Sequence, residues 1–215
     1  MDNKQRIGLG AGAAAGPAFI GSFTLQGAFR KGYDWQKHPV SSLSLGPGGW
    51  VQKTNFLAAG ALFAAYAAGL ARSKDIPRAH TWLMGGTAAG LIAAGICNGQ
   101  PGGGFPAGTP DLPEEMTGTG MVHNVGASSA FLLVPVSALI HAVTDVRSGR
   151  RGWALYDVAS ALGTVASVVA AGAAIGRQDN PKARGGLLQR AAITAGMGWI
   201  SVTALRRLRP VEPRA

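Results

Sequence analysis

Six long apolar stretches, each almost free of charged side chains, run through this chain and limit what it can fold into. A helix that crosses a membrane needs roughly 20 mostly apolar residues, whereas a soluble amphipathic helix carries charges along one face. The stretches therefore predict an all-α protein, a single integral membrane bundle of about six transmembrane helices. The predicted spans are Ile7–Phe29, Thr54–Ala71, Thr81–Cys97, Val125–Thr144, Trp153–Ile175 and Leu187–Leu205.

The apolar stretches are rich in small residues. Hydrophobic residues make up 47% of the chain and charged residues 14%, and 33 residues are glycine. Alanine and glycine are weakly hydrophobic but let helix backbones approach closely. Gly8, Gly12 and Gly16, here called the glycine strip, share one face of the first predicted helix. We expect this strip to pack against another helix of the same chain, and the alternative is a helix-mediated homo-oligomer.

The charge distribution predicts both the partner and the orientation. A net charge of +10 would suggest nucleic acid for a soluble protein, but here the Lys and Arg residues lie almost entirely between the apolar stretches. This pattern indicates charges that flank a lipid bilayer, and no nucleic-acid partner. The connection from Cys97 to His123 contains no Lys or Arg, so the positive-inside rule places it outside.

We therefore expect a multi-pass protein of the cell (inner or plasma) membrane with both termini in the cytoplasm. That orientation places twelve basic residues on the cytoplasmic side and eight outside. The twelve are Lys4, Arg6, Arg72, Lys74, Arg78, Arg147, Arg150, Arg151, Arg206, Arg207, Arg209 and Arg214.

Two polar segments are expected to meet on the outer side. Trp35–Trp50 mixes His, Ser and Gly between two tryptophans, and Asn98–Met116 is rich in Gly and Pro and includes three acidic residues, among them Glu114. Imidazole, hydroxyl and carboxylate groups together can support acid–base or nucleophilic chemistry or bind a metal. The spacing is not diagnostic, since the chain has no His-x-x-x-His, Gly-x-Ser-x-Gly or Cys-x-x-Cys motif, so the sequence identifies neither a cofactor nor a metal nor a reaction.

We predict one outward-facing polar pocket formed by four side chains, with a fifth as a weaker member. The four are His38, Ser41, Ser42 and His123, and the fifth is Asp111. A buried imidazole or hydroxyl needs a hydrogen-bond partner, and two segments that each contain a histidine can supply one another. The alternative is that both histidines hydrogen-bond loop backbone and cap helices.

Two ionisable residues near the inner ends of spans are weaker candidates. His141 and Asp157 attract attention because ionisable groups within membranes are often functional. Asp157 follows Trp153 by one helical turn, which favours an interfacial position for it. Most tryptophans lie near predicted span ends, as interfacial anchors do, but Trp199 does not.

Several motifs in combination resemble a family of bacterial and archaeal membrane proteins known as domain of unknown function 998. They are HPVSSLSLGPGGWVQKTNFLAAGAL, GGGFPAGTP and the histidine that opens the fourth span. The resemblance implies a compact six-helix membrane protein and no assigned activity. Similar members often have Asp-Pro where this chain has Gln100-Pro101. The matching residues are His38, Pro39, Ser41, Ser42, Trp50, Asn55, Gly60, Phe105, Pro106, Gly108 and His123.

The sequence leaves several functions open. The first is a membrane protein of unassigned activity with an outward-facing polar pocket. The others are a membrane-embedded enzyme acting on a lipid or amphipathic substrate, a small-molecule transporter, and a structural or accessory subunit. Transporters place polar groups near the bilayer midplane, whereas the midspan residues here are mostly Ala, Gly, Leu and Val.

Overall fold

The computed structural model describes residues 1–73, 75–112, 115–177, 180 and 182–209. Lys74, Glu114 and Arg214, named above, lie outside the described residues. Within these ranges the protein is all-helical, which confirms the predicted fold class. The helices are α1 (Asn3–Phe29), α2 (Gly49–Leu70), α3 (Arg78–Ile96), α4 (Gly118–Arg147), α5 (Arg151–Ile175) and α6 (Gly185–Leu208), with a short 3₁₀ helix at Val40–Ser44.

Each predicted span coincides with one of these helices, and the largest difference is at the start of α4. This helix begins at Gly118 rather than Val125. The Thr117 side chain accepts a hydrogen bond from the Gly120 amide over 3.0 Å. An N-cap of this kind satisfies one of the free amides at a helix start, so the helix continues beyond the apolar stretch.

The helices pack as a closed ring. Each helix contacts its neighbour in the chain, and α6 returns to pack against α1. The glycine strip lies at these contacts. A Cβ added to Gly8 would lie 2.6 Å from Gly69 Cα in α2, and one added to Gly16 would lie 2.6 Å from Ser201 Oγ in α6. The strip thus packs within the chain, as expected, because only glycine leaves room for such close backbones.

The outer surface of the ring is apolar. Among the described helices, three are long and apolar enough to cross a membrane: α1, α4 and α5. Large hydrophobic side chains such as Leu132, Leu155 and Val169 are exposed on α4 and α5. Extended apolar surfaces are uncommon on soluble monomers. Together with the three helices, this surface indicates a membrane protein.

Candidate functional site

The first polar segment folds over the start of α6. The Gly186 amide donates to the Lys37 carbonyl over 3.1 Å, and the Leu187 amide donates to the Gln36 carbonyl over 3.0 Å. The first amides of a helix have no partner within the helix. This segment supplies their partners, so it is fixed to the bundle.

Arg190, one helical turn further into α6, fixes the same segment. Its guanidinium donates to the Trp35 carbonyl over 2.7 Å and to the Tyr33 hydroxyl over 2.6 Å. It also lies 5.5 Å from the centre of the Phe23 ring, within cation–π range. These contacts explain how an arginine is accommodated at the beginning of a largely apolar helix.

His38 joins the two polar segments. The Asp34 amide donates to its Nδ1 over 2.8 Å, so in the neutral ring Nε2 carries the proton and donates to the Gly103 carbonyl over 2.9 Å. The imidazole is buried, with its centre 5.4 Å from those of the Tyr33 and Phe105 rings. Burial lowers the pKa of His38, and the bond to Gly103 opposes this effect.

His123 is fully buried at the start of α4 and has different partners. Its Nδ1 donates to the Ala94 and Cys97 carbonyls over 2.8 and 3.0 Å, at the end of α3. Its Nε2 has no hydrogen-bond partner among the described residues. The edge of the ring meets Phe56, with centres 5.5 Å apart.

The remaining predicted residues lie in separate surroundings. Ser41 lines a small apolar cavity of about 40 Å³ inside the ring, and Ser42 is buried in the 3₁₀ helix. Asp111 forms a salt bridge of 2.8 Å with Lys37, and its own side chain is half exposed. His38 and Asp111 thus both lie where the two polar segments contact each other, while His123 contacts the end of α3. The single pocket formed by these residues stays a prediction.

Gln100 lies in the second polar segment, directly before Pro101. Its side-chain oxygen accepts from the Thr117 amide over 3.2 Å, and its side-chain amide donates to the Glu115 carbonyl over 2.9 Å. The residue therefore closes the second polar segment against the start of α4. This is a structural role, and it uses both ends of the amide.

A second polar cluster, which the sequence did not predict, lies among α2, α3, α4 and α6. His80 hydrogen-bonds to Ser137 through Nδ1 and to the Tyr66 hydroxyl, 3.4 Å away, through Nε2. The His141 ring packs edge-on against those of His80 and Trp199, with centres 4.8 and 5.5 Å apart. We call these five residues the buried cluster, since all are buried. Only two of its members, Ser137 and His141, lie on the same helix, so spacing along the sequence did not reveal the group.

The buried cluster borders a cavity of about 400 Å³ at the end of the ring where α1 begins and α6 ends, here called the terminal cavity. It is the most polar of the larger cavities described. His141 lines it and also belongs to the buried cluster. The lining residues are Met1, Gln5, Leu9, Ser73, Asp75, His141, Thr144, Asp145, Ser148, Arg150, Thr203, Arg206, Arg207 and Arg209.

Ion pairs organise one wall of the terminal cavity. The Asp145 carboxylate is buried and pairs with Arg150 through Oδ1 at 2.7 Å and with Arg206 through Oδ2 at 2.6 Å. The Arg206 guanidinium also stacks 4.3 Å from the Trp153 ring centre. A buried carboxylate needs such partners, so the ion pairs of these two arginines stabilise the fold.

The described residues contain no group of three or more His, Cys, Asp or Glu side chains arranged to hold a metal ion. The side chains of the terminal cavity that can donate hydrogen bonds to a ligand include its arginines, His141 and its hydroxyl groups. Guanidinium groups and an imidazole can bind anions and hydrogen-bond acceptors.

An apolar ring of helices with a polar cavity at one end is the architecture of a helical membrane protein. Residues 13–206 match the family described as protein of unknown function (DUF998), and the chain belongs to that family. This match confirms the resemblance found in the outer motifs. No curated protein and no solved structure matches the chain.

Proposed function

We propose that this chain is a six-span protein of the cell membrane, with both termini in the cytoplasm, and that its terminal cavity binds a lipid or another amphipathic molecule. Three helices are long and apolar enough to span, and the other three complete the same ring. The excess of Lys and Arg at the end that contains the terminal cavity supports a cytoplasmic position for it.

One observation carries the proposal: the polar terminal cavity opens at the end of an apolar bundle. In a bilayer this is the level of lipid headgroups, where apolar chains and charged groups meet. On α4, Val143 and Val146 are exposed next to the lining residues Thr144 and Asp145. An amphipathic molecule can therefore place its polar group in the cavity and its chain along α4.

An enzyme that acts on such a molecule through His38, Ser41, Ser42 and His123 on the outer side is a second candidate. The observation that favours it is the Nε2 of His123, which is buried and has no hydrogen-bond partner among the described residues. A polar substrate atom would satisfy it.

The experiment fills the terminal cavity. Thr144→Trp places an indole among the lining residues, and Leu132→Trp, the control, places one on the exposed face of the same helix, away from the terminal cavity. Each protein is purified from membranes in mild detergent, and retained lipid is measured by native mass spectrometry. We expect the parent and Leu132→Trp to retain a bound lipid and Thr144→Trp to lose it. Equal retention by all three proteins would exclude the terminal cavity as the binding site.

A further inference from the structure

We infer that the terminal cavity recognises a phosphate monoester group, and that Arg207 and His141 are the residues that bind it. This inference rests on the proposed function, because it names the chemical class of the molecule in that cavity. The arginines that line the cavity differ in the partners that each already has.

Arg150 and Arg206 are already neutralised in part. They share the buried Asp145 carboxylate, at 2.7 and 2.6 Å. Charge-assisted hydrogen bonds of this length are strong, and breaking them would leave the carboxylate buried without a partner. These two arginines therefore keep their places when a ligand enters.

Arg207 is held much less firmly. Its Nη1 lies 3.5 Å from Asp75, a largely exposed carboxylate, and its Nη2 lies 3.3 Å from His141 Nε2. A long contact with an exposed carboxylate contributes little. The guanidinium can exchange it for a ligand oxygen, and its planar fork matches the geometry of phosphate.

His141 presents a donor that lacks a partner. Arginine can only donate, so Nε2 of His141 accepts from Arg207, and in the neutral ring the proton is on Nδ1. That Nδ1 is buried and has no hydrogen-bond partner among the described residues. A buried unsatisfied donor is unfavourable. A ligand oxygen that accepts from Nδ1 would satisfy it.

The charge of the lining favours phosphate over a singly charged or zwitterionic group. The lining side chains include four arginines and two aspartates, an excess of two positive charges. A phosphate monoester carries about −1.5 to −2 near neutral pH, which matches this excess. A zwitterionic headgroup has no net charge to offset it.

The test compares three probes on the purified full chain in detergent: dioctanoyl phosphatidic acid, dioctanoylglycerol and inorganic phosphate. We expect dioctanoyl phosphatidic acid to bind at least roughly tenfold more tightly than dioctanoylglycerol, because only it has the phosphate. If inorganic phosphate alone binds as tightly as dioctanoyl phosphatidic acid, the group recognised is still phosphate but its source is a soluble molecule. Such a result supports the inference while removing the lipid from the proposed function.

Variants identify the residue. Arg207→Gln should weaken binding of dioctanoyl phosphatidic acid by roughly 10- to 100-fold and leave dioctanoylglycerol unchanged. Arg151→Gln, the control, removes the same charge at the same end but outside the lining residues. Arg207→Lys retains the charge and serves if Arg207→Gln does not fold; it should also bind more weakly than the parent, because it lacks the fork.

Two outcomes separate this inference from the proposed function. If dioctanoylglycerol binds as tightly as dioctanoyl phosphatidic acid and Thr144→Trp abolishes both, the phosphate assignment is wrong and the amphipathic site remains. If no probe binds the parent protein, the phosphate assignment is wrong, and lipid retention by the parent protein decides the proposed function. Equal binding of dioctanoyl phosphatidic acid by the parent and by the Arg207 variants would also overturn the assignment to Arg207.

Discussion

Trp199 donates its indole N–H to Asp157 Oδ1 over 2.7 Å, inside the bundle between α6 and α5. Both side chains are buried, and the second carboxyl oxygen of Asp157 has no partner among the described residues. The bond explains why Trp199 differs from the tryptophans near the span ends. It also places Asp157 between helices rather than towards the lipid headgroups.

Trp199→Phe should destabilise the protein. Among the described residues, the Asp157 carboxyl group has no hydrogen-bond partner other than Trp199, and the substitution removes that bond. Such a loss is expected to lower the free energy of unfolding by about 1–3 kcal/mol. Thermal unfolding in detergent measures the effect. Trp82→Phe is the control because Trp82 is 78% exposed, against 1% for Trp199; an equal loss in both variants would contradict the importance of this bond.

Gly12→Leu should impair folding or lower stability. A side chain at Gly12 would overlap the Tyr66 ring, whereas a Cβ at Gly10 meets nothing within 4 Å. Overpacking typically destabilises by about 1–3 kcal/mol, so Gly12→Leu should unfold at a lower temperature than Gly10→Leu. If the two leucine variants match in yield and unfolding temperature, the close contact of α1 with α2 is not required.

The stability that His38 provides should decrease in acid. Its pKa is lowered by burial, below an ordinary value of about 6.5, so the neutral ring is favoured in the folded state. The stabilisation that neutral His38 gives the folded state is complete at pH values above its ordinary pKa. It is lost as the pH falls through the lower pKa that His38 has in the folded protein. The stability gap between the parent and His38→Phe should therefore narrow from about pH 8 to about pH 5. A gap that stays constant or widens would refute the linkage.

The proposed orientation can be tested on the loop without Lys or Arg. A Thr109→Cys substitution is made in a Cys97→Ala background, because Cys97 is the single native cysteine. The new thiol should react with a membrane-impermeant reagent in intact cells. Labelling only after lysis would reverse the topology and place the terminal cavity outside.

The helices were predictable because each depends on local composition. The stretch that became α5 was predicted as Trp153–Ile175 and extends over Arg151–Ile175. Boundaries were less accurate where a cap, such as Thr117 at α4, extends a helix into polar sequence. A cap depends on a hydrogen bond between one side chain and one backbone amide, and the hydropathy of a stretch does not reveal such a bond.

The terminal cavity and the buried cluster were not predictable in the same way. Tyr66, His80, Ser137 and Trp199 lie on four different helices, and only the closed ring brings them together. The sequence did contain one signal, since a histidine or tryptophan within an apolar stretch needs a partner inside the bundle. Trp199 was recognised as an exception, but Asp157 was predicted at the membrane interface and not as its partner.

The contact between α1 and α6 has a consequence for synthesis of the protein in the cell. Ribosomes make the chain from α1 onwards, so α1 enters the membrane well before α6 exists. During that interval Gly16 lacks the helix that it packs against, and the terminal cavity lacks Arg206 and Arg207. The ligand recognition proposed for the terminal cavity therefore requires that the sixth helix has been made and inserted.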